Sequence, residues 1–278
     1  MKILAITTIT ILEIVRRRVA SIVGIATLLG VVAVAWGFYR INKDAYNPIS
    51  AVAFESALTI LVAFAFSVVL AVGASFLAAP AIAADLDSGI ALAVLPRPVS
   101  RTEYVLGKWL GIALTICCYA IVAGVLGFAG VRFGGYHPPH EVKALAFLLA
   151  QSVALFTLAL VLGTRLPAIA AGIVAVAVFG ASWIAGITAS VAQSLNASAL
   201  EHAAQLAGLV FPTDGLWRGV VFELTPAAAL VAESTTAAHQ INPFGVTAPP
   251  TIAFLVWCAL WVLAVLAIGT VSMRKRDI

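Results

Sequence analysis

The chain has 278 residues, of which 63% are hydrophobic and only 10% charged, and its mean hydropathy is +1.10. A soluble domain carries about 25% charged residues, so this composition excludes an ordinary water-facing exterior, and the length leaves no room for a soluble ATPase domain beside a helical bundle. The net charge of +4 is no nucleic-acid signal, because in membrane proteins the placement of Lys and Arg matters more than their sum.

Residues 2–17 read as a short amphipathic helix lying along the inner membrane surface. Thr10, Glu13 and Arg17 share one face, Ile3, Leu4, Ile11 and Val15 supply apolar contact, and Glu13 and Arg17 stand in the favourable i, i+4 order. The competing reading is an extended start to the first span. Six long apolar runs follow, near 19–39, 56–80, 109–131, 144–163, 167–189 and 251–273. Each has about the 20 residues needed to cross a hydrocarbon core roughly 30 Å thick. The first is read as a retained span and not a secretory signal, since Glu13 and three arginines precede it and no small-residue cleavage site follows. Trp36, Phe38 and Tyr39 end it in the manner of an interfacial aromatic anchor.

A short outer loop, 40–51, turns at Asn47-Pro48 into the second helix, which runs through Pro80 and continues, kinked, toward Ala93. Residues 81–108 form the longest inner connection. It combines an amphipathic helix, a rigid Pro96-Arg97-Pro98 turn and a new helix start at Ser100, where Glu103 completes a capping-box spacing. Gly163 to Pro167 is barely a turn. Residues 190–250 form a long outer segment whose apolar stretches are each interrupted by a charge or a proline, which predicts short interfacial or re-entrant helices.

With the N-terminus inside, six crossings put Lys2, Arg16, Arg17, Arg18, Arg97, Arg101, Lys108, Arg165, Arg274, Lys275 and Arg276 on the inner side. Arg40, Lys43, Arg132, Lys143 and Arg218 then lie outside, so the basic residues divide eleven to five. Both termini are basic, which requires an even number of crossings. The expected fold is therefore an all-α polytopic membrane protein, a single domain over 1–278, with six transmembrane helices, an N-terminal interfacial helix and both termini cytoplasmic.

The middles of the six runs contain no Asp, Glu, Lys, Arg or His. A charge retained near the bilayer centre costs about 2.5–3.5 kcal/mol and marks ion sites and proton relays. Its absence counts against an ion-coupled transporter, although backbone carbonyls at broken helices leave that class open. His137 and His140 flank two prolines in an outer loop and do not share a helix face, so a metalloprotease site is not expected. Ser182 lacks the Gly-x-Ser-x-Gly context, no phosphate-cradling Gly-x-x-x-x-Gly-Lys-Ser/Thr occurs, and Cys117, Cys118 and Cys258 have no metal-ligand spacing. The chain is expected to be no enzyme and to bind no cofactor itself.

The specific signal lies in the inner connection. Asp85-x-Asp87-x-Gly89, then Leu95-Pro96-Arg97-Pro98-Val99-Ser100-Arg101, then Tyr104-x-x-Gly107-Lys108, and the final Arg274-Lys275-Arg276-Asp277-Ile278 resemble the ABC-2 type permease family along the whole chain. A looser likeness is to the permeases that accompany nitrous-oxide-reductase maturation. The resemblance implies an exporter-type permease subunit in a prokaryotic plasma membrane. It further implies a second permease copy and a separate cytoplasmic ABC ATPase that holds the ATP and Mg. Asp85, Asp87, Gly89, Pro96, Arg97, Pro98, Ser100, Arg101 and Lys108 become coupling candidates. Arg97, Arg101 and Lys108 would meet acidic groups of the ATPase, and Asp85 and Asp87 its basic groups, while Glu13 and Arg17 steady the same surface. The alternatives are an ATP-independent secondary transporter or channel, or a membrane scaffold whose 190–250 segment docks an extracytoplasmic protein.

Overall fold

Because the hydrocarbon core leaves every backbone polar group to find a partner within the protein, the apolar runs resolve into helices. The computed structural model describes residues 2–16, 18–44, 48–88, 100–195, 197–227, 246 and 248–275. Among them there is no strand. The helices are α1 (Lys2–Val15), α2 (Arg18–Asp44), α3 (Pro48–Ala78), α4 (Pro80–Asp87), α5 (Arg101–Phe133), α6 (Glu141–Leu162), α7 (Ala168–Ser194), α8 (Ser198–Val210), α9 (Thr213–Leu224) and α10 (Ile252–Arg274). Six are long and apolar enough to span a membrane: α2, α3 with its continuation α4, α5, α6, α7 and α10. Six crossings bring both chain ends to one side of the bundle, called here the terminal side.

Lipid is as apolar as a leucine side chain, so spans associate through close packing of small residues and through polar contacts. The terminal half of the core follows that rule. Ala71, Ala74, Ala78, Ala159, Ala171 and Ala175 let α3, α6 and α7 approach around Ile82, Ile112, Phe156 and Leu160. Pro80 has no N–H to give the helical ladder, and the second span bends there into α4. The tight turn between α6 and α7 sits against this bend. A Cβ placed on Gly163 would lie 2.5 Å from the Ala79 carbonyl oxygen, so only glycine allows that approach.

The far half is built on a second cluster, in which Trp217, Val220, Val221 and Leu224 of α9 pack on Ala63, Ala144 and Leu148. Helices α8 and α9 have 13 and 12 residues, too short to cross, and they form a re-entrant hairpin. Helix α8 packs back along α7. At its tip the Ser182 hydroxyl donates to the Phe211 carbonyl (2.7 Å) and accepts from the Asp214 amide (3.2 Å). Ser182 lies 12 residues before the end of α7 at Ser194, so the tip reaches about 18 Å inward. Helix α9 then climbs beside α6 until Glu223 faces His140 and Lys143, at 3.2 and 3.7 Å.

Phe38 departs from the aromatic-anchor reading. It is 1% exposed and stacks on Tyr136, whereas Trp36 and Tyr39 do face outward. The chain turns at Gly134-Gly135 directly above it, with Gly135 at a φ of 104° that L residues rarely adopt. That turn folds Tyr136 back onto α2.

Candidate coupling site on the terminal side

Helix α5 has 33 residues, about 50 Å of helix against a hydrocarbon core of about 30 Å. Its first turns therefore have length to spare. Ser100 starts it with the reciprocal pair expected from the sequence: the Ser100 amide donates to the Glu103 carboxylate (2.7 Å) and the Glu103 amide to the Ser100 hydroxyl (3.2 Å).

Lys108 sits in the third turn of α5 with its side chain 7% exposed, and its Nζ is 2.8 Å from Asp85 Oδ2 of α4 and 3.6 Å from Glu13 Oε2 of α1. Tyr104, one turn earlier, donates its hydroxyl to the same Asp85 oxygen, and its ring lies 5.9 Å from the ammonium. A buried ammonium is tolerated only when paired and hydrogen-bonded. Here one cation holds two carboxylates from two other helices, so α1, α4 and α5 are tied at a single point.

Helix α1 reaches that point because of two glycines. A Cβ on Gly107 would lie 2.7 Å from Ile6 Cβ, and one on Gly111 would lie 2.7 Å from Thr10 Cβ. The pairs advance together along both chains, so α1 runs alongside α5 in the same direction. The Thr7 hydroxyl closes the contact by donating to the Gly107 carbonyl at 3.2 Å. Leu4, Ile9, Leu12 and Val15 are left exposed on the other face of α1.

Arg101 does a different job from the others. Its Nη1 donates to the carbonyls of Met273 (3.0 Å) and Arg274 (2.9 Å), the last of α10, where a cation meets both orphan acceptors and the negative end of the helix dipole. Arg165, in the turn between α6 and α7, donates to Ser272 Oγ (2.7 Å) and to the Ser272 carbonyl (3.1 Å). Arg274 in return donates to Thr102 Oγ1 (3.0 Å). The end of α10 is thus gripped from two directions.

Of the coupling candidates, Asp85, Ser100, Arg101, Lys108 and Glu13 come together on this side of the bundle. Asp87 closes α4. Gly89, Pro96, Arg97, Pro98 and Arg17 lie outside the described residues. Three participants escaped the sequence reading. In the sequence Tyr104 and Gly107 read only as motif letters, and Arg165 only as an inner charge. The Gly107, Gly111 spacing of four was the available signal, since it marks one helix face stripped of side chains.

Six helices long and apolar enough to span a membrane, with short helices packed on them, make this chain a multi-pass membrane protein. The chain belongs to the ABC-2 family transporter proteins, whose family model matches residues 4–278. It is thus a multi-pass ABC transporter permease, the transmembrane component of such a system. No curated relative matches the chain.

Proposed function

We propose that this permease is an exporter-type subunit driven by a separate cytoplasmic ABC ATPase, with ATP and Mg bound on that partner, and that it works as a homodimer in a prokaryotic plasma membrane. Both termini are cytoplasmic, so the terminal side faces the ATPase and residues 81–108 receive its movement. The chain forms a single transmembrane domain over 1–278, with α1 running beside the cytoplasmic start of α5 instead of flat along the interface, and 190–250 on the opposite side, where an extracytoplasmic partner could dock. Substrates in keeping with the family resemblance are lipidic, drug-like or maturation-related molecules.

The observation that carries this reading is the Asp85–Lys108–Glu13 joint in a chain matched over residues 4–278 by an ABC-2 family model. A force-receiving surface must be stiff, and here the entry to the 81–108 segment is bonded to its exit. Asp85 and Lys108 face each other, so direct contact with the ATPase falls to Arg97 and to the exposed rim. Asp85, Asp87, Gly89, Pro96, Pro98, Ser100, Arg101 and Lys108 then shape and brace the segment, with Glu13 and Arg17 steadying it from α1.

The test is to tag the chain, extract it gently from its native membrane and identify what co-purifies. A stoichiometric Walker-type ATPase is the expected outcome, and its loss on Arg97→Glu alone, while the chain still inserts, would locate the contact. An intact bundle with no ATPase would overturn the reading in favour of an ATP-independent transporter or a docking scaffold.

A further inference from the structure

Helix α10 carries polar grips at its terminal-side end and in its far half, and between them it packs on α6 through Leu266 and Gly269. Its terminal-side end is gripped by Arg101 and Arg165. Toward the far side, Trp257 and Trp261, one turn apart, donate their indole N–H groups to the carbonyls of Leu209 (2.9 Å) and Val210 (2.8 Å). These are the last carbonyls of α8, at the tip of the re-entrant hairpin. Helix ends leave such acceptors unpaired, and these two indoles supply the donors that terminate α8. Phe254 adds contact: a Cβ on Gly215 would lie 2.3 Å from its ring. Between the two grips α10 turns Leu260, Leu263, Ile268 and Val271 outward. Its 23 residues make a rod about 35 Å long, stiff along its axis and seated on α6, where a Cβ on Gly269 would lie 2.6 Å from Val161.

We propose that Trp257 and Trp261 are positioning residues through which α10 ties the re-entrant hairpin to the first turn of α5, so that movement at the Arg101 grip is delivered to the hairpin tip. This rests on the reading of the chain as an ATP-driven subunit. The two orphan carbonyls and the two donors match one to one, and the bonds at the other end involve the residue that opens α5. Helices α3, α6 and α7 also touch the hairpin, but the cation grips on a helix end belong to α10.

The experiment uses the complex with its co-purified ATPase in nanodiscs, with Cys117, Cys118 and Cys258 replaced by alanine. One spin-label pair, Leu195→Cys with Leu206→Cys, reports the hairpin against α7. A second pair, Ser88→Cys with Lys275→Cys, reports the terminal side. Distances are read without nucleotide and after trapping with ATP and vanadate. Both distances are expected to shift on trapping. In the Trp257→Phe, Trp261→Phe variant the terminal pair still shifts and the hairpin shift is lost. Arg165→Gln, which loosens the opposite grip and leaves both indoles in place, weakens the hairpin shift in the same way, so the test survives if the double variant folds poorly. A hairpin shift that persists unchanged in both variants overturns the proposal, as does a native hairpin that stays still while the terminal pair moves. Absence of any bound ATPase is a different failure, which removes the functional reading and this inference with it.

Discussion

Lys108 is the residue on which the terminal side is most exposed to error by mutation. Its ammonium is 2.8 Å from Asp85 and 3.6 Å from Glu13, and deleting one member of a buried pair leaves a charge without compensation, typically a loss of about 3–5 kcal/mol. Lys108→Met should therefore lower the thermal midpoint sharply, as followed by tryptophan fluorescence in detergent. Asp85→Asn should cost less, because Glu13 still answers the ammonium and an amide can still accept from Tyr104. Equal midpoints for Lys108→Met and the parent would mean that the triad carries no stability. Thr213 runs the other way. It is 5% exposed, and its hydroxyl has no hydrogen-bond partner among the described residues. An unsatisfied buried hydroxyl costs about 1–3 kcal/mol, so Thr213→Val should unfold at the same temperature or higher. A clear fall would reveal a partner for that hydroxyl. Neither role could be read from sequence. Asp85 and Lys108 stand 23 positions apart across the Pro96-Arg97-Pro98 stretch, and chain separation alone does not say whether two charges at span ends face outward or each other.

At the scale of elements, the docking of α1 depends on missing side chains. Ile6 and Thr10 each sit where a Cβ on Gly107 or Gly111 would come within 2.7 Å, and both blocking atoms are Cβ atoms that cannot swing aside. Gly111→Val should lift α1 from α5 while leaving the spans in place. Trypsin should then cut after Arg16 faster than in the parent, with an unchanged elution volume for the remaining bundle. Equal cleavage rates would show that α1 is held elsewhere. The six spans were legible because lipid imposes both length and polarity on them, and the α5 cap was legible because Ser100 and Glu103 act within one turn. The hairpin was half legible. Pro212 and the scattered charges of 190–250 announced short helices, yet the tip is held by Ser182, 29 positions away from Phe211, and by Gln151, 62 away from Thr213. On their own helices Ser182 and Gln151 look like ordinary packing residues. Nothing local to either says that a third element will arrive.

For the whole molecule the open question with the largest consequence is which way it faces. Six crossings fix both ends on one side, but geometry alone is indifferent to which compartment that is. The charge distribution is not indifferent. Threading six spans through the sequence assigns eleven of the 16 Lys and Arg to the terminal side, and basic residues near span ends tend to stay in the cytoplasm. Several of them are used there: Lys108 in the triad, Arg101 and Arg165 on the end of α10. Translocating that side would thus carry cations that the fold requires at those places, and reversing it by recoding charge would break the bonds described above. Orientation and packing are constrained by the same side chains. The expected outcome is specific. In a chain with its three cysteines replaced, Phe133→Cys and Val142→Cys, both 82% exposed, should react with a membrane-impermeant maleimide on intact cells. Ser88→Cys and Lys275→Cys should react only after permeabilisation. The opposite pattern would place Arg101, Lys108 and the whole 81–108 segment away from the cytoplasm, where no ATP-driven partner could reach them, and the scaffold reading would then have to explain the terminal-side joint.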